Sequence, residues 1–112
     1  MSRVTVVFRW NGAYWGFIDD SRLYDRYGRH AGWIEPGGDV YRRGGGFMGE
    51  VVDHHYVLRN RLRGEPVHRA SRPAIPHGFP PGPLPDRAPR DHRHEWSDAL
   101  PWPIPPPTLP TI

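Results

Sequence analysis

The sequence predicts an all-β fold of three to four repeated β-hairpins, about 16–17 residues each, followed by an extended Pro-rich tail. Three observations carry this reading. Phe8-Arg9-Trp10-Asn11-Gly12 returns as Tyr24-Asp25-Arg26-Tyr27-Gly28 and again as Tyr41-Arg42-Arg43-Gly44-Gly45, in steps of 16 and then 17 residues. Such a period marks a repeat architecture, whose single unit cannot bury its apolar face alone. Val4 to Trp10 alternates with strand periodicity, and residues 1–70 hold no sustained helical period. Finally, 13 of the 15 prolines lie from Pro73 onward, whereas 11 of the 13 glycines precede residue 71. The expected organisation is a hairpin-repeat domain over 1–70 and a Pro-rich tail over 71–112.

Each element has a local reason. Val4, Val6, Phe8 and Trp10 alternate with Arg3, Thr5, Val7 and Arg9, which is strand periodicity. Asn11-Gly12 is a strong hairpin signal because both residues tolerate positive φ, so Ala13 to Ile18 reads as the returning strand. Asp19-Asp20-Ser21 turns the chain, Leu23-Tyr24 opens a second hairpin with its tip at Arg26-Tyr27-Gly28, and Arg29 to Ile34 returns. Glu35-Pro36-Gly37-Gly38-Asp39 is a turn by composition. Val40-Tyr41 and Phe47 to Val52 form the third pair, Asp53-His54 turns again, and Tyr56-Val57-Leu58 opens a degenerate fourth unit. There Leu62 and Pro66 stand where Gly45 and Gly49 stand in the third, and Pro66 cannot donate to a strand ladder.

The glycines fall into two repeated sets. Gly12, Gly28 and Gly45 occupy hairpin tips, where positive φ is cheap for glycine. Gly16, Gly32 and Gly49 lie inside strands, which signals a bulge, a bend or close backbone approach. Phe17 and Trp33 follow the first two of these. This small–large pair suggests strands converging on an axis, the small position admitting a neighbour's aromatic ring.

With these motifs in hand, residues 22–51 resemble the bacterial 4-fold β-flower family. The resemblance rests on Leu23-Tyr24-Asp25-Arg26-Tyr27-Gly28-Arg29-His30-Ala31-Gly32-Trp33-Ile34 and on Asp39-Val40-Tyr41-Arg42-Arg43-Gly44-Gly45. It covers roughly residues 6–60 and is most specific over Gly28 to Trp33. It implies a small fold of pseudo-fourfold hairpin petals and imports no catalytic residues. Gly46, Glu50 and the eroded fourth unit depart from the pattern.

Composition bounds the function. A 112-residue chain is one domain's worth, and a 70-residue body buries only about 60% of its unfolded surface. Small scaffolds of that size need disulfides, metal or association. With no cysteine in the chain, association is the favoured remedy. The expected state is therefore a homo- or hetero-oligomer. The formal charge of +3 sits entirely in residues 1–70, with 11 Arg against 8 acids, while the tail holds 4 of each. All 15 basic residues are arginine, which fits either codon bias or a planar anion-binding surface. Interspersed acids argue against a phosphate-binding stripe. No segment reaches the roughly 18 apolar residues of a membrane span, and no signal-peptide pattern is present. A cytoplasmic location is expected.

Candidate chemistry is sparse. His54-His55 falls at a turn, where exposed polarity explains it. In Asp91-His92-Arg93-His94-Glu95, His92 and His94 on an extended segment place both imidazoles on one side, a minor metal-ligand candidate with Arg93 between them to repel a cation. His30 takes the place of Tyr14 and Phe47 in the other repeats, which points to packing. Gly44-Gly45-Gly46 joins two strands and lacks the helix a phosphate cradle needs. No nucleophile–base arrangement appears. Nucleic-acid stacking would require Trp10, Tyr14, Trp15, Tyr24, Tyr27, Trp33 and Tyr41 at the surface, yet these rings are most of the available core. The tail favours polyproline II and so binds at reduced entropic cost. Phe79, Trp96, Trp102 and Ile104 are its expected partner-binding anchors, since aromatic residues dominate interfaces. The function expected is a non-catalytic structural or accessory subunit without cofactor, its tail clasping a partner protein. The alternative is a homo-oligomeric module binding a ligand or nucleic acid through exposed arginine and aromatic residues.

Overall fold

A computed structural model describes residues 4–73, 75, 78–81, 84–91 and 93–106. The chain is all-β: β1 (Val4–Phe8), β2 (Tyr14–Asp19), β3 (Arg22–Asp25), β4 (His30–Ile34), β5 (Asp39–Arg42), β6 (Phe47–Val52), β7 (Tyr56–Asn60) and β8 (Trp96–Asp98). Each strand pairs antiparallel with the next. A parallel bridge between Phe8 and Tyr56 joins β1 to β7 and closes a seven-stranded barrel. Closure removes the free edges that an open hairpin array would expose.

The repeat is visible in the register. Val7 faces Gly16 and Phe8 faces Tyr14, so Trp15 is the extra residue of a bulge. The same irregularity sets Ala31 aside between Leu23–Gly32 and Tyr24–His30, and Met48 between Val40–Gly49 and Tyr41–Phe47. A bulge bends its strand and re-aims a side chain. Trp15 and Met48 thereby join the central cluster around Val7, Leu23, Val40 and Val57, with Ala31 against it. Those last four residues are each fully buried and recur at the hairpin period. They, and not the small–large pairs, occupy the axis.

Gly16 has another task than the one expected. A Cβ there would collide with the carbonyl oxygen of Tyr24 on β3, and Gly32 and Gly49 stand likewise against the carbonyls of Tyr41 and Leu58. The glycine admits the backbone of the adjoining hairpin, not its ring. The aromatics stack one step away: Phe17 lies over its cross-strand partner Tyr24 at 5.0 Å, and Trp33 over Tyr41 at 5.7 Å. Such cross-strand pairs tie consecutive hairpins together.

A fourth hairpin exists, formed by β7 and β8. Leu58 pairs Asp98, Arg59 pairs Ser97 and Asn60 pairs Trp96, and the Arg61 amide donates to the Glu95 carbonyl at 2.7 Å. Residues 61–95 are its tip, drawn out into a long excursion. Beyond β8, Leu100 enters the central cluster at 3% exposure, its carbonyl accepts from Arg9 Nε, and the carbonyl of Pro101 accepts from Trp15 Nε1 at 2.9 Å. The segment expected to stand apart from the body thus supplies its last strand and part of its core.

Candidate functional site

The excursion runs as a belt past the other hairpin tips in reverse order. The Arg69 amide donates to the Gly45 carbonyl at 2.8 Å, the Gly78 amide to Gly28 at 2.9 Å, and the Arg87 amide to Gly12 at 2.7 Å. The three donors are nine residues apart, so one nine-residue span covers one angular step around the barrel. Two of the spans open on the same word, Arg69-Ala70-Ser71-Arg72 and Arg87-Ala88-Pro89-Arg90. Their second arginines repeat the geometry: the Arg72 amide donates to Arg43 O at 2.8 Å and the Arg90 amide to Trp10 O at 2.9 Å.

The side chains of those arginines cover the aromatic rings between the hairpins. Arg72 lies 3.9 Å above Trp33, Arg69 4.7 Å above Tyr41, Arg87 4.2 Å above Phe8 and Arg90 4.6 Å above Trp10. A guanidinium presents a flat face to a ring and keeps its N–H edge for other partners, which an ammonium cannot do. Arg69 accordingly also pairs with Glu35 at 3.1 Å, and Arg90 with Asp53 at 3.2 Å. Guanidiniums stacked on rings are a structural use for the arginine-only composition. Small residues in the second place of the word, Ala70 and Ala88, stand where the middle span carries Phe79.

That residue is the most conspicuous feature of the belt surface. Phe79 is 89% exposed, while Gly78 beside it is pinned to Gly28 and a Cβ on Gly78 would press on the rings of Phe17 and Tyr24. Leu62 and Val67 are also exposed on the excursion. The remaining expected anchors are placed differently. Trp96 is half-buried in β8, where Arg93 stacks on it at 4.7 Å. Trp102 is exposed beneath the Arg9 guanidinium. Ile104 is partly buried against the central cluster.

The tip glycines predicted from sequence are gathered by the belt. A Cβ on Gly12 or Gly45 would meet the carbonyl oxygen of Arg87 or Arg69, and φ is +98° and +97° at the two positions. Of the histidines, His94 is exposed and paired with Glu95 at 2.6 Å, and His92 lies outside the described residues. Among the described residues no group of three or more His, Cys, Asp or Glu is placed to hold a metal ion. His30 Nε2–H donates to the Gly32 carbonyl at 2.8 Å. Burial, and after it the guanidiniums of Arg43, Arg22 and Arg72, hold its imidazole below the usual histidine range, offset by that hydrogen bond. The rings needed at the surface for nucleic-acid stacking are largely inside, with Tyr14, Trp15, Tyr24, Trp33 and Tyr41 all buried.

Sequence reading missed the belt, although its signal was present. Arg-Ala-x-Arg returns after 18 residues, two nine-residue spans, and Ile75-Pro76 and Leu84-Pro85 fall six residues into successive spans; together they make a second, shorter period masked by the proline content. No protein-family model, no curated protein and no solved structure matches this chain.

Proposed function

We propose that this chain is a non-catalytic accessory subunit of the 4-fold β-flower kind, which binds a partner protein through the outer face of its belt, with Phe79 as the anchor. One observation carries the reading: a large aromatic side chain stands 89% exposed on backbone that is itself fixed. The Gly78–Gly28 hydrogen bond holds the segment from below, and Pro80-Pro81 stiffen it from the C-terminal side. Binding such an anchor forfeits little chain entropy, so less of the gain from burying its ring is offset by ordering the segment. Leu62 and Val67 are further exposed apolar side chains on the same excursion. The family assignment is supported by the closed barrel of repeated hairpins and by the fourth hairpin that β8 completes.

The test is a single substitution, because truncating the tail would also remove β8 and Leu100. Phe79→Ala should melt with the unaltered chain and lose the partner that co-purifies with it at defined stoichiometry. If Phe79→Ala retains every association, the anchor reading is finished.

A further inference from the structure

A second feature, independent of Phe79, lies between the first and fourth hairpins. A cavity of about 280 Å³ opens there with Leu58 at its base, Trp10 and Trp96 as walls, and Arg61, Arg93 and Asp98 at its edge. Leu58 is 1% exposed, so the base is rigid core. Trp10 is held on several sides: its amide donates to the Asp98 carboxylate, its Nε1–H donates to Asp91 O at 2.7 Å, Tyr56 meets its ring edge-on at 4.9 Å, and Arg90, which does not line the cleft, lies over its ring at 4.6 Å. The Asp98 carboxylate is itself engaged, receiving the Trp10 amide at 2.9 and 3.1 Å and facing Arg9 at 3.8 Å.

The two arginines at the edge are not so engaged. Among the described residues neither Arg61 nor Arg93 pairs with a carboxylate within 4.0 Å, unlike Arg9, Arg29, Arg63, Arg69 and Arg90. The Arg93 guanidinium lies over the Trp96 ring at 4.7 Å, a contact that uses the flat face of a guanidinium and not its N–H edge. The Arg61 backbone is tied to Glu95. Two indoles, an apolar base and two guanidiniums, one of them resting on Trp96, suit two things at once: a flat ring against the walls and an anion at the rim. The volume is at the small end of ligand cavities, which run from roughly 300 to 1,000 Å³, and so admits a single ring system.

We propose that this cleft binds a small ligand consisting of one aromatic ring system bearing one anionic group, a carboxylate or a phosphate. The ring lies against Trp10 and Trp96, and the anion bridges Arg61 and Arg93.

Calorimetric titration of the full chain with four probes tests this. Indole-3-carboxylate and phenyl phosphate carry both parts, indole carries the ring alone, and inorganic phosphate carries the anion alone. At least one ring-bearing anion should saturate a single site per chain, with indole and phosphate at least about tenfold weaker. The tighter of the two ring-bearing probes identifies the anion. Arg61→Gln, altering an exposed side chain, should weaken binding by about tenfold at an unchanged melting temperature. Trp96→Phe should weaken it less, since a ring is retained. Phe79→Ala should bind as the unaltered chain does, which separates this site from the partner surface. Phosphate binding as tightly as phenyl phosphate, an Arg61→Gln variant of full affinity, or no saturable binding by either ring-bearing anion would each overturn the proposal.

Discussion

The Arg87 amide donates to the Gly12 carbonyl at 2.7 Å, and the Arg87 carbonyl lies where a Cβ on Gly12 would be. One tip residue thus meets both polar groups of a belt residue, and only a glycine leaves room for the second. The arrangement recurs at Gly45 with Arg69 and, with slightly more space, at Gly28 with Gly78.

Gly12→Ala should therefore be costly for two reasons that add. Its φ of +98° is strained for any L side chain, at about 1–3 kcal/mol, and the methyl group would displace Arg87 from the tip. Gly44→Ala supplies the comparison, since nothing lies within 4 Å of a Cβ there and its φ is outside the left-handed range. Thermal melts of both variants should show a substantial loss for the first and little change for the second. Equal melting temperatures would show that the belt does not depend on the tip.

Leu100 links the tail to the core. Its side chain is 3% exposed in the central cluster with Val7, Trp15 and Val57. Leu100→Ala should cost about 2–5 kcal/mol, the range for truncating a buried leucine. Truncation after residue 72, harmless to a body that folds by itself, removes both β8 and this residue. The shortened chain should lose its cooperative melt, as read by circular dichroism.

Asp98 closes the fourth hairpin onto the first. Both of its carboxylate oxygens accept from the Trp10 amide. Asp98→Ala would leave that donor half-buried without a partner, at a cost of about 1–3 kcal/mol. Asp98→Asn keeps one acceptor and should fall between. Urea denaturation orders the three proteins, and an alanine variant as stable as the parent would remove the capping role.

Much of this architecture was legible from short-range signals. Asn11-Gly12, Gly28 and Gly44-Gly45 located three tips, and the alternation of Val4 to Trp10 located the first strand, because turn chemistry and side-chain period act within a few residues. The bulges at Trp15, Ala31 and Met48 were readable only as glycines out of place, since the residue set aside is fixed by pairing across strands. The fourth hairpin was harder. Its two strands are separated by residues 61–95, and no local pattern joins Asn60 to Trp96. The prolines concealed the rest. They read as a segment extended in solvent, whereas the same stiffness lets a chain with few free amides follow the barrel rim, attached once or twice per nine-residue span. Phe79 was found as an aromatic in such a segment, but the Trp10–Trp96 cleft was not, because its walls lie 86 positions apart.

His30 makes folding sensitive to mild acid. Burial lowers its pKa below the ordinary value of about 6.5, its Nε2–H is committed to Gly32, and its Nδ1 is buried without a partner. The unfolded chain therefore takes up a proton at a higher pH than the folded one. Stability is full above about pH 6.5, falls as pH drops through that value, and levels off once the folded imidazole is also protonated. Tyr14 and Phe47, the residues paired with Phe8 and Tyr41 as His30 is with Tyr24, show that an uncharged ring suits this place. His30→Phe should thus flatten the dependence of melting temperature on pH between 5 and 7 and gain most over the parent at the acid end. Parallel curves for the two proteins across that range would mean that His30 keeps its ordinary proton affinity on folding.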